Sequence, residues 1–138
     1  MKSRGMWLGA ALAMLAALAV AVWPTTSSST LRATQLRGDA AAGQRAFVRC
    51  AECHQVGPSA RSGFGPQLNA VVNRTAGSTP DYQYSVAMKQ SGIVWSTQNL
   101  ADFIRSPSSL VPGTKMIFWG LGDEQEIADL LAYLQTQP

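Results

Sequence analysis

The sequence predicts an all-α domain, small and rich in loops. Helical periodicity comes in short bursts, and no stretch alternates apolar with polar residues as a strand does. Between the bursts Gly, Pro, Ser and Asn dominate. The domain is expected to begin at Gly38 and to run to Pro138. A domain of roughly a hundred residues buries only a modest core, so one with this much loop needs something to wrap around.

Two segments precede it. Lys2 and Arg4 form a positive start, and an uncharged run of 18 residues, mostly Ala, Leu, Val and Met, follows from Met6 to Trp23. A signal peptide's apolar core is about 7–15 residues long, whereas a spanning helix needs about 20, with a lower limit near 17. Trp7 and Trp23 stand at the two ends, where interfacial aromatics sit in a spanning helix. Ala19-Val20-Ala21 offers a small-x-small cleavage site. Residues 1–24 are therefore expected to be a membrane anchor through 6–23, with a cleaved signal peptide as the alternative. Either places the domain on the periplasmic side of a bacterial membrane, because the positive end stays inside. Pro24 ends the apolar run, and residues 25–37 open on a Ser/Thr tract without apolar periodicity, the composition of a solvated linker.

Within the domain, Gly38-Asp39 offers a helix N-cap. Gly43, Ala46, Phe47 and Cys50 then fall on one helical face. Gln55 to about Thr79 reads as loop. A short helix is expected over Ser85–Gln90, and another over Thr97–Ser106, burying Leu100, Phe103 and Ile104 and stopped by Pro107. Asp123 caps the last helix, with Glu126 three residues on as a capping-box variant. That helix buries Ile127, Leu130, Leu131 and Leu134, and its acidic first turn suits the helix dipole. Gly43 would let the first and last helices approach closely.

Charge narrows the function. The whole chain carries +3, but from Gly38 onward seven basic residues face eight acidic ones, a net of −1. No basic stripe runs along a helix face, which argues against nucleic-acid binding. Cys50 and Cys53 are the only cysteines, too few for a disulfide framework.

The decisive motif is Cys50-Ala51-Glu52-Cys53-His54. Two thiols on one helical turn can each add to a vinyl group of one haem, and the next residue offers its imidazole to the iron. The pattern reads as c-type haem attachment. Structural zinc normally takes four Cys/His ligands, and this chain has two Cys and a single His. A thioredoxin-like dithiol would follow a strand in a βαβ unit, and none is legible. For the other face of the iron a thioether suits an electron carrier, because Met/His ligation raises the potential and leaves no open position. The domain offers Met88 and Met116. Met88 sits among Val86, Ala87 and Ile93, a setting for core filling. Met116 follows the stiff, turn-forming Val111-Pro112-Gly113-Thr114-Lys115 and is the better ligand.

At this point the domain resembles the class I cytochromes c, in the branch holding mitochondrial cytochrome c and its bacterial relatives. The similarity covers about Gly38 to Gln135 and rests on Cys50-Ala-Glu-Cys-His54, Gly65-Pro66-Gln67-Leu68, Tyr82-Gln-Tyr84, Gly92-Ile-Val-Trp95, Pro112-Gly-Thr-Lys-Met-Ile-Phe118 and Asp129-Leu-Leu-Ala-Tyr-Leu134. The resemblance implies the cytochrome c fold around one covalent haem c, with His54 and Met116 as axial ligands. It implies that Pro66 accepts a bond from the His54 ring, that Tyr84 and Trp95 hydrogen-bond a buried propionate, and that Arg74 offsets its charge. Thr114 and Phe118 would flank the Met116 side, and Leu68, Val71, Leu100 and Phe103 would line the pocket. Gly43 and Phe47 would pack on Leu130 and Tyr133 where the terminal helices cross.

Four positions depart from the family pattern. Phe103 stands where relatives carry a Tyr reaching the ligand sulfur, and Met88 where they often carry Asn. Ser108 and Ser109 replace lysines, so steering toward an acidic partner should be weak. The resemblance implies a one-electron carrier in a respiratory or photosynthetic chain, with no small-molecule substrate and no catalysis. Its partners would be a membrane oxidoreductase as donor and an oxidase or reaction-centre-like acceptor. The alternative is a ligand-binding or peroxidatic haem protein with a labile Met.

Overall fold

A computed structural model describes residues 36–138. The expected anchor or signal segment, and nearly all of the expected linker, lie outside the described residues. Six helices and long ordered loops make up the rest: α1 (Ala40–Ala46), α2 (Val48–Ala51), α3 (Val86–Gln90), α4 (Thr97–Arg105), α5 (Pro107–Leu110) and α6 (Glu124–Gln135). Among the described residues there is no strand, only an isolated antiparallel bridge between Thr75 and Val94. No helix among them is long and apolar enough to cross a membrane.

The helix starts follow local chemistry. The Asp39 carboxylate accepts from the Ala42 N–H at 2.8 Å, opening α1. Ser85 and Ser96 do the same for α3 and α4, and Asp123 for α6. Each removes an orphan backbone donor, an effect worth about 1 kcal/mol. Phe47 keeps helical dihedrals at the joint between α1 and α2, and its N–H reaches the Gly43 carbonyl at 2.8 Å. The face holding Gly43, Phe47 and Cys50 is therefore carried across the joint.

Two expectations need correction. Pro107 ends α4 at Arg105 but also opens α5, where its fixed φ and missing N–H suit the first helical position. The Glu126 side chain is drawn to Arg49 at 3.1 Å on the neighbouring helix, rather than back onto its own cap. An opposite charge on α2 competes for the carboxylate, which a local pattern does not register.

The core joins the terminal helices. Ile127 and Leu130 are 2% and 1% exposed. Gly43 is buried against α6, where a Cβ would lie 2.5 Å from the Asp129 carbonyl carbon and 2.8 Å from the Tyr133 Cβ. Only glycine lets the two backbones meet so closely. Phe47 and Tyr133 pack beside this crossing with ring centroids 5.5 Å apart, and the Asp39 N–H donates to the Asp129 carboxylate at 2.8 Å.

The loops are fixed by side chains that supply the bonds secondary structure would otherwise make. Asn69 exchanges two 2.8 Å bonds with the backbone of Gly57. Asp81 accepts from the Ser62 N–H and hydroxyl at 3.0 and 2.8 Å, and these bonds hold its carboxyl below the usual carboxylate range. The Tyr82 hydroxyl donates to the Phe64 carbonyl at 3.0 Å.

Candidate cofactor site

One cavity of about 400 Å³ gathers the residues that the motifs single out, within the range of about 300–1,000 Å³ usual for cofactor sites. Cys50, Cys53 and His54 line it from the end of the first helical pair, and Thr114, Met116 and Phe118 from the segment after α5. Leu68, Val71, Arg74, Tyr84, Met88, Trp95, Leu100 and Phe103 are also in the lining. Pro66 lines the same cavity, so the site residues predicted from sequence are brought together there.

The motif's geometry follows from the turn it forms. The Cys53 and His54 N–H groups both donate to the Cys50 carbonyl, at 3.0 and 2.8 Å. Both thiols are unpaired, Cys50 half-buried and Cys53 exposed. Burial pushes the Cys50 thiol up, against the opposing pull of Arg49. The His54 ring is held twice. Its Nδ1 lies 2.7 Å from the Pro66 carbonyl, which can only accept, so Nδ1 carries the hydrogen and Nε2 keeps its lone pair. Gly65 lies flat on the ring, where a Cβ would sit 2.7 Å from Nδ1 and 2.9 Å from Nε2. Burial lowers the imidazole pKa, Arg74 adding to it and the Pro66 bond opposing. His54 is accordingly neutral at neutral pH, as a metal-binding imidazole must be.

On the other side, the Thr114 N–H bonds to the Val111 carbonyl at 3.0 Å and Gly113 has φ +88°. With Pro112 before it, this is a type II turn, which explains the Pro-Gly pair. The Met116 N–H then donates to the Thr114 hydroxyl at 3.3 Å. Met116 is half-buried, while Met88 is 6% exposed and packs in the core as well as the cavity wall.

The polar lining residues have protein partners. Arg74 donates to the carbonyls of Asn69 and Gln67 at 2.9 and 3.0 Å, and burial lowers its pKa. The Tyr84 hydroxyl donates to buried Thr79 at 2.9 Å. Trp95 packs on Phe103 with centroids 5.1 Å apart and the rings tilted by 49°, fixed by Asn73 and Arg74 backbone bonds to its own main chain. Thr79, Gly65 and Asn69 escape sequence reasoning as functional positions. Gly65 and Asn69 stand in a Gly/Pro/Asn-rich loop, which signals a turn and nothing more.

A cavity walled by a Cys-x-x-Cys-His turn and a constrained methionine is that of a covalent haem protein. The family model for cytochrome c matches residues 40–138, and the chain belongs to the cytochrome c family. It is 47% identical over 100 residues to cytochrome c2 of Agrobacterium tumefaciens (strain II Chrys), covering 70% of this chain and 90% of that one. It is 48% identical over 100 residues to cytochrome c2 of Rhodomicrobium vannielii, covering 72% and 80%. The solved structure of cytochrome cH from Methylobacterium extorquens matches at TM-score 0.68 and 42% identity, covering 72% of this chain and 99% of that one.

The chain is a single-haem electron carrier, with one haem c bonded through Cys50 and Cys53. The residues present fit that group: two free thiols, a neutral imidazole with its second nitrogen fixed, and a largely apolar cavity.

Proposed function

We propose that His54 and Met116 are the axial ligands of a haem that carries single electrons on the periplasmic side of a bacterial membrane, between a membrane oxidoreductase and an oxidase or reaction-centre-like acceptor. The observation that carries this reading is one cavity lined by both thiols, by His54 in a fixed tautomer and by Met116 after a rigid turn. When bound, the haem supplies a reversible one-electron couple. The chain's own residues do the rest. Pro66 and Gly65 hold the imidazole in orientation, which is how partners behind a ligand tune a metal. The Pro112–Gly113 turn restrains Met116, and Leu68, Val71, Leu100 and Phe103 exclude water. The reading of a carrier rather than an enzyme is supported by the relatives, which are cytochromes c2.

Residues 38–138 form the carrier domain, supported by the family match over 40–138. Residues 1–24 serve as anchor or signal segment and 25–37 as linker, supported by the positive start and apolar run. N-terminal sequencing of the mature protein distinguishes a fixed carrier from a diffusing one.

Replacing Met116 with Ala tests the ligand. The midpoint potential of the haem-loaded protein should fall by an appreciable part of the ~0.8 V over which axial ligands act. The sulfur–iron charge-transfer band should vanish and carbon monoxide should bind readily. An unchanged potential and spectrum would show that Met116 is not bound to iron. If the unsubstituted protein takes up carbon monoxide equally well, the labile-Met alternative holds instead.

A further inference from the structure

Thr79 is 4% exposed, the one polar residue buried to that degree among those described. It stands outside the cavity lining, but its hydroxyl is 2.9 Å from that of Tyr84, which is part of the lining. The surrounding sequence holds this hydroxyl in place. Pro80 biases the Thr79 backbone toward extended conformations, and the branched Cβ stiffens the side chain. Just before it, the Ser78 hydroxyl donates to the Thr75 carbonyl at 2.7 Å. Gly77, with φ +75°, brings the turn against α3, where a Cβ would lie 3.0 Å from the Lys89 Cα.

The pair of hydroxyls carries two hydrogens, and one of them closes the bond between the two oxygens. Each group can both donate and accept, so the bond can run either way. Among the described residues, Tyr84 is the hydrogen-bond partner of the Thr79 hydroxyl. When the phenol donates, the Thr79 hydrogen stays buried without an acceptor, which is unfavourable. When Thr79 donates, both hydrogens are used, provided the cavity offers an acceptor to the phenol. A haem brings carboxylates, which accept strongly. Arg74 lines the cavity near Tyr84 and supplies a positive charge that favours a carboxylate there. Tyr82, also in the lining, gives its hydrogen to the Phe64 carbonyl instead.

We propose that Thr79 is a positioning residue for the haem: in the loaded protein its hydroxyl donates to the Tyr84 oxygen and frees the phenol hydrogen for a haem carboxylate. This rests on the electron-carrier reading. Hydrogen bonds in series strengthen one another by about 10–30% per bond, so Thr79 makes Tyr84 the better donor. The negative charge near the iron is then better compensated. Without that compensation the oxidised haem, which is the more positive form, is favoured.

The test uses the full-length haem-loaded protein. Thr79→Val keeps the shape and removes the hydroxyl. It should lower the midpoint potential in the same direction as Tyr84→Phe, by about a tenth to a third as much. Thr79→Ser returns a hydroxyl and should restore the potential. In the Tyr84→Phe background Thr79→Val should shift the potential no further, which separates action through the phenol from loosened packing. Proton NMR of the reduced, diamagnetic protein reads the bond without any substitution: the Thr79 hydroxyl hydrogen should lie against the Tyr84 ring. A phenol hydrogen directed at Thr79 overturns the proposal. So does a potential that ignores Thr79→Val or Tyr84→Phe, or a Thr79→Val shift that persists undiminished in the Tyr84→Phe background. If the unsubstituted protein shows no reversible one-electron couple, the carrier reading itself fails; a normal couple that ignores Thr79 removes the positioning role alone.

Discussion

Replacing Gly43 with Ala should separate the two terminal helices. The added methyl would lie 2.5 Å from the Asp129 carbonyl carbon and 2.8 Å from the Tyr133 Cβ, where carbon atoms prefer about 3.5–4.0 Å. The nearest obstacle is backbone, so no rotamer change relieves it and the crossing must open by about 1 Å. Such a gap forfeits a quarter to a half of each dispersion contact along it, including those of Phe47 on Tyr133. Overpacking of this kind costs about 1–3 kcal/mol, and the upper end applies to a backbone clash. Alanine's better helix propensity returns about 1 kcal/mol. The net loss is then about 2 kcal/mol, a fall in Tm of roughly 8–16 °C for a domain of this size. Guanidinium unfolding of the haem-loaded protein measures it directly. Gly122→Ala is the control: nothing lies within 4 Å of its Cβ position and its φ is ordinary, so stability should stay level or rise by about 0.4–1 kcal/mol. If Gly43→Ala is as stable as the unsubstituted protein, the crossing is not as tight as described.

At Gly65 an added methyl would meet the His54 ring itself. Gly65→Ala should displace the imidazole, break its bond to Pro66 and cost about 1–3 kcal/mol, with an altered haem spectrum; unchanged stability and spectrum would refute this. Glu124 is held below the usual carboxylate range chiefly by its bond to Arg105, so its contribution is present above that range and lost as pH falls through the lowered value. The pair is well exposed, which limits Glu124→Gln to about 0.5 kcal/mol at neutral pH. Denaturant midpoints of the two proteins should converge in acid, and a gap that persists there would rule the mechanism out.

The helices were legible because their signals are local. Asp39 and Asp123 cap where they stand, and the apolar faces of α4 and α6 repeat within a few residues. The loop from Gln55 to about Thr79 was legible only as loop. Its order comes from bonds such as Asp81 to Ser62 and Asn69 to Gly57, whose partners lie 12 or more residues apart and follow no period. The same limit hid the contact of Gly65 with His54 and the capture of Glu126 by Arg49. Pro107 shows a different limit: proline marks a boundary, but only the following residues decide whether a new helix starts there. The cysteine–histidine motif could be read at once because covalent chemistry requires its members side by side. The gathering of Met116 into the same cavity depends on how the chain returns, which spacing alone does not reveal.

The seam at Gly43 also sets an order of manufacture. Its two halves come from opposite ends of the domain, so α6 is synthesised well after Cys50 and Cys53. While the thiols first emerge, the helix that will cover Phe47 does not yet exist, and the domain cannot close over them. Until α6 packs on α1 the haem pocket also lacks part of its wall, because Leu130 and Leu134 of α6 line it.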